Sequence, residues 1–212
     1  MDKTNRIAIV GAGVAGMALA ICATQQGYQV DLYERNRGIS TLGAGVTLWS
    51  NALFVLQQMG LHKEIEKVAG VPNLMCQFDQ TGRKLAELDI DEVSRLSGFS
   101  SVTILRRDLM RVLAKALAEL GVKIHFNASI EAHDIEALKQ DYWLVVGADG
   151  RMNSVVRKAI YDDKVTPCYQ GFINIIGISA WKENDNSISD FRGLGERFGI
   201  VPVKADLCYW AA

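Results

Sequence analysis

Cysteine and histidine are scarce in this 212-residue chain: Cys22, Cys76, Cys168 and Cys208, with His62, His125 and His133, all dispersed. No C-x-x-C spacing occurs. That excludes a disulfide framework or a Cys/His metal centre as the organising feature, and the thiols read as reduced side chains. An excess of one charge is also missing. The formal net charge is −1, which leaves no electrostatic footprint for nucleic acid. No apolar run is long enough to span a bilayer, and the polar N-terminus enters the first strand without a signal-peptide pattern. A cytoplasmic protein with no integral membrane segment is expected. There is no internal repeat, no low-complexity linker and no Ser–His–Asp set. Nearly half the residues are hydrophobic, enough for one large domain or two small ones.

What the chain does have is concentrated at its start. Residues 7–16 read IAIVGAGVAG. Ile7, Ile9 and Val10 predict a buried parallel strand. Gly11, Gly13 and Gly16 then match G-x-G-x-x-G: a tight turn, a close approach for a pyrophosphate, and close helix–strand packing. A helix is expected from Val14 to about Gln26, with Gly27 after it. The first amides of that helix, at Val14 and Ala15, would face the phosphates together with its dipole. Residues 28–33 (YQVDLY) predict a second strand ended by Glu34. An acidic side chain there accepts hydrogen bonds from adenosine ribose hydroxyls. A dinucleotide site follows, with its identity open.

Further along, glycine-rich residues 42–46 lead to a helix expected from a Ser50 or Asn51 cap to Met59, and His62–Val68 is amphipathic. Residues 74–79 and 83–90 predict a hairpin. Residues 106–120 carry helical periodicity. Strands are expected at 122–126, 143–146, 171–181, 198–203 and 207–210, a short helix at 154–160, and a turn at Lys204-Ala205-Asp206. A doubly wound dehydrogenase would continue strand, helix, strand soon after Glu34. Here a glycine-rich loop and a hairpin intervene, so two domains threaded through each other are expected.

Four segments together resemble the single-component FAD-dependent aromatic hydroxylases, the family of p-hydroxybenzoate, salicylate and urate hydroxylases. They are Gly11–Gly16 with Glu34-Arg35; Gly43-Ala44-Gly45-Val46-Thr47-Leu48 with Asn51-Ala52; Arg106-Arg107-Asp108-Leu109; and Gly147-Ala148-Asp149-Gly150 with Ser154 and Arg157. The resemblance covers the whole chain. It implies an α/β fold, a Rossmann-like FAD-binding domain (1–71 and 92–164) with an interleaved, incomplete β-sheet substrate domain (72–91 and 165–212). It implies that Glu34 binds the adenosine ribose, that Arg35 lies over the adenine end, and that Arg106 approaches the phosphate and ribityl region. By the same resemblance, Gly45 and Val46 line the isoalloxazine by main chain, and Asp149 holds the loop around the cofactor. The implied reaction is hydroxylation of a small aromatic or heteroaromatic substrate by dioxygen through a flavin C4a-hydroperoxide, with NADH or NADPH reducing FAD. No catalytic side chain is singled out. Phe172, Trp181, Phe198 and Trp210 are aromatic candidates for the substrate region, with core packing the stronger reading.

The sequence departs from that family in three places. The D-G segment reads D-G-x-x-x-S-x-x-R, one residue longer than usual. Residues 130–142 are shorter than the family's strand meander. A later G-D-A-A-H-like segment is absent. The chain is therefore expected to be a fragment or one half of a split enzyme, its last strand leaving a sheet edge unpaired. Such a half would form a homo-oligomer or bind a complementary C-terminal fragment. Two alternatives stand beside the hydroxylase: a non-catalytic half of such a flavoprotein, and an NAD-binding scaffold, which leaves three of the four segments unexplained.

Overall fold

The structure is a computed structural model and describes residues 4–40, 42–162, 164–183, 185–204 and 206–212. In chain order its elements are β1 (Arg6–Val10), α1 (Val14–Gln25), β2 (Gln29–Tyr33), β3 (Gly45–Leu48), α2 (Ser50–Gln58), α3 (His62–Val68), β4 (Leu74–Asp79), β5 (Lys84–Asp89), α4 (Ile90–Ser97), β6 (Val102–Leu105) and α5 (Arg106–Glu119). There follow β7 (Ile124–His125), α6 (Ala132–Asp141), β8 (Leu144–Gly147), α7 (Val155–Tyr161), β9 (Ile176–Ala180), β10 (Ile188–Arg192), β11 (Arg197–Pro202) and β12 (Leu207–Ala211). The chain divides into two compact units, Met1–Ser40 with Met110–Gly171, and Thr41–Leu109 with Phe172–Ala212.

The first unit is built on a parallel sheet in the order β7-β2-β1-β8. Ile9 and Val10 point to opposite faces and both are buried, so the sheet is covered on both sides, as a parallel sheet requires. Met17, Ala20 and Ile21 bury the inner stripe of α1. On the other face Val10 packs with Ile135 of α6 and Val156 of α7. One expectation changes here, and one helix is added. The strand expected at 122–126 is reduced to the two residues of β7. Residues 132–141 form a helix, begun by the Glu131 amide donating to Asp134 Oδ2 at 2.8 Å.

The second unit holds a six-stranded sheet, order β5-β4-β10-β11-β12-β9. Its pairings are antiparallel except β4 with β10, which is parallel. The strand expected to leave an edge open, β12, is interior. It bonds to β11 on one side and β9 on the other, because it comes back alongside residues 176–180, so the edges are β5 and β9. Ile90, Ile188 and Val201 form the core of this sheet. Helix α4 and strand β10 are additions to the sequence reading. Only Ile90 of α4 is buried, and Asp190 and Arg192 interrupt the apolar pattern of β10. Strands β3 and β6 pair separately. Helix α2 starts one residue earlier than a Ser50 cap allows: Trp49 is its N-cap, and Ser50 already lies in the first turn. Of the turn expected at 204–206, Ala205 lies outside the described residues. Among the described residues, no helix is long and apolar enough to cross a membrane.

Candidate cofactor site

Gly11 leaves β1 with φ +106°, a left-handed conformation that only glycine adopts without strain. A Cβ there would lie 2.3 Å from Ala148 O, and a Cβ on Gly16 would lie 1.9 Å from Gly11 O. Both glycines are therefore required by backbone packing alone. Gly13 differs. It is the N-cap of α1, no side chain caps the helix, and nothing lies within 4 Å of where its Cβ would be. The first turn of α1, at Val14 and Ala15, thus presents its positive end beside open space, without an acidic side chain in that turn. This arrangement fits a pyrophosphate.

Glu34 stands at the end of β2. Its Oε2 accepts from the Ala12 amide at 3.0 Å, and its Oε1 accepts from the amide and side chain of Asn36 at 2.9 and 2.6 Å. A carboxylate offers about four acceptor sites, so capacity for a ribose hydroxyl remains beside the glycine turn. Arg35 follows immediately and is exposed. Asp149 is spent differently. Its Oδ1 accepts from Ser154 Oγ at 2.7 Å, and its Oδ2 from the Val155 amide at 2.6 Å. It ties the loop after β8 to the start of α7. Ala148 in that loop donates to Val10 O at 2.7 Å and lies against Gly11. The first unit thus gathers Gly11, Gly13, Val14, Ala15, Gly16 and Glu34 at the carboxyl ends of β1 and β2, with Asp149 bracing the neighbouring loop.

The second unit gathers Gly45, Val46 and Arg106. Gly45 and Val46 pair with Leu105 and Ile104. Arg106 donates its amide to Ala44 O and its Nε to Leu42 O, both at 3.1 Å, and its stem packs on Gly43. It is therefore more than a solvated helix-start residue: it pins the glycine-rich loop. Tyr209 is a residue the sequence reading passed over. A Cβ on Gly45 would fall 2.1 Å from its ring, and its hydroxyl lies 3.0 Å from Thr47 Oγ1. Burial pushes its phenol up, against the Thr47 hydrogen bond. The available signal was strand alternation, which sets Tyr209 on the face opposite Trp210. Of the four aromatic candidates, Phe172 is largely exposed, Trp181 is half-buried, and Phe198 stacks on Trp210 at 5.9 Å. Asp190, 1% exposed, is bonded by Arg192 and Arg197 Nε at 3.0 and 2.6 Å, a second buried polar feature of this sheet.

Known proteins resemble this chain in sequence and in fold. A urate hydroxylase of Mycolicibacterium vanbaalenii, described as FAD-dependent, is 26% identical, covering 97% of this chain and 55% of the relative. The 6-hydroxynicotinate 3-monooxygenase of Pseudomonas fluorescens is 28% identical over 82% of this chain and 47% of its own length. In fold, the chain is similar to Klebsiella pneumoniae HpxO complexed with FAD and uric acid, with a TM-score of 0.79 at 20% identity, over 97% of this chain and 55% of that one. The chain spans about half the length of the curated relatives it matches. Residues 4–166 match the model of the FAD binding domain, and the chain belongs to that family.

Proposed function

We propose that this chain supplies the flavin-binding part of a monooxygenase that hydroxylates a small aromatic or heteroaromatic compound, using dioxygen and NADH or NADPH. The FAD binding domain match carries this reading, and the open cradle at Gly13 beside the Glu34 carboxylate supports it. In this reading Gly11, Gly13, Val14, Ala15 and Gly16 receive the pyrophosphate, Glu34 the ribose, and Arg35 the adenine end. Gly45 and Val46 line the flavin ring by main chain. Arg106 approaches the phosphate–ribityl region, and Asp149 acts through the loop it braces. Residues 1–71 and 92–164 serve the cofactor, and 72–91 and 165–212 the substrate, with Tyr209 as a half-buried hydroxyl on that side. Bound FAD supplies electron transfer from NAD(P)H to dioxygen; the protein binds, orients and excludes water. A cytoplasmic location belongs to the same proposal.

Heating the purified chain and identifying the released cofactor by absorbance and chromatography tests the first step. FAD is the expected product, and recovery of only a nicotinamide nucleotide would refute the reading. NAD(P)H oxidation that rises with a phenolic or similarly electron-rich aromatic compound, with oxygen found in the product, tests the second. Because the chain spans about half of its relatives' length, a form that works with a homo-oligomeric partner or a complementary C-terminal polypeptide belongs to the same proposal. Activity that appears only when such a polypeptide is added would select it.

A further inference from the structure

One polar cluster of the first unit has no part in the cofactor reading above. Asp31 of β2 accepts from Arg6 Nη2 at 2.9 Å, from Tyr142 OH at 2.8 Å and from His125 Nε2 at 2.9 Å. Tyr33 OH lies 2.8 Å from Tyr142 OH, Arg6 sits 4.5 Å over the Tyr142 ring, and Tyr33 stacks on His125 at 5.0 Å. Burial of Asp31 opposes its charge. The His125, Tyr142 and Arg6 hydrogen bonds outweigh that and hold the carboxyl below its usual value. Burial, with Tyr33 and Asp31, pushes the Tyr142 phenol up, so it remains a donor.

The cluster lies one step behind Glu34. His125 belongs to β7, only two residues long and paired to β2 at Leu32 and Tyr33. So short a ladder is marginal by itself. Yet the segment it begins holds the main chain of the Glu34 turn at three points. Glu34 N donates to His125 O at 2.9 Å, Ala128 N to Glu34 O at 2.9 Å, and Asn127 N to Asn36 O at 3.0 Å. Asn127 adopts a left-handed φ of 54° to do so. Asn36 in turn donates twice to the Glu34 carboxylate.

We propose that Asp31, His125, Tyr33 and Tyr142 are positioning residues: they clamp β7 to β2 and so aim the Glu34 carboxylate at the cofactor's ribose. The inference rests on the FAD reading for its ligand, but not for its geometry. Binding should be followed by flavin fluorescence titration of FAD. His125→Ala should weaken it roughly tenfold. His125→Gln, which keeps a donor toward Asp31, should restore most of the loss. The double variant His125→Ala/Glu34→Ala should bind no more weakly than Glu34→Ala alone. Additive losses, or wild-type affinity in His125→Ala, would overturn the proposal. Should His125→Ala not fold, Asp31→Asn replaces it in the same cycle. Hydrogen exchange, measured without cofactor, reads the clamp directly. The Glu34, Asn127 and Ala128 amides should exchange roughly tenfold faster in the variant, and unchanged exchange would also overturn the proposal. A wild-type chain that binds no FAD would defeat the cofactor reading, while exchange would still decide the clamp.

Discussion

Gly13 and Gly16 are alike in the motif and opposite in what surrounds them. Gly16→Ala places a methyl group 1.9 Å from a backbone carbonyl oxygen, and overpacking of that kind costs about 1–3 kcal/mol. Gly13→Ala meets open space. The first variant should lower the unfolding midpoint. The second should lower it less, by no more than the small cost of alanine at an N-cap, and weaken FAD binding, because its methyl occupies the cradle. Thermal unfolding and FAD titration of both variants check this, and equal unfolding midpoints would refute it. Glu34→Ala should weaken FAD binding by about 1–3 kcal/mol, the cost of a lost charge-assisted hydrogen bond. Wild-type affinity would show that Glu34 does not hold the ribose. The glycines were legible in the sequence because steric demands at a turn admit one residue type. The partners of Glu34 were not, since Ala12 donates through its backbone and Asn36 carries no motif.

At the scale of elements, local chemistry decides what a sequence shows. Helix α7 was readable because Ser154 caps it, accepting from the Arg157 amide at 3.0 Å. Ser154→Ala should cost about 0.5–2 kcal/mol and leave Asp149 without its hydroxyl partner; thermal unfolding checks it. The β4–β5 hairpin was readable from Asp79, Thr81 and Gly82. The Thr81 hydroxyl, donating to Asp79 at 2.6 Å, leads the contacts that hold this carboxyl down to about 2. A depressed carboxyl stabilises the fold above its ordinary value near 4. That contribution is lost as pH falls from about 4 through about 2. Carbon NMR titration of Asp79 should show the low midpoint, and an ordinary one would refute the turn geometry. Helix α6 was not readable, because with Ile135 as its buried residue it carries little apolar stripe. Nor was β10, whose Asp190 is buried only because two arginines from the sheet reach it, a pairing that sequence distance conceals.

Across the molecule, the order of strands was harder to read than their existence. Each strand is a local pattern, whereas its neighbours are set by long-range pairing, which is why β12 lies inside its sheet rather than at an edge. The edge falls to β9, and Phe172, Ile173, Ile175 and Ile176, at its start, are each more than half exposed. An unpaired apolar edge favours association. The chain should therefore self-associate as its concentration rises, and Ile173→Lys with Ile175→Lys should suppress this. Size exclusion with light scattering checks it, and a monomer across a wide concentration range would refute it. The parallel β4–β10 pairing has its own consequence for biosynthesis. Met75 and Ile188 are register partners although more than a hundred residues separate them. The β4–β5 hairpin thus leaves the ribosome long before the strand that flanks it exists. A high-contact-order junction of this kind delays closure of the sheet and leaves one edge of the hairpin unpaired until β10 has been made.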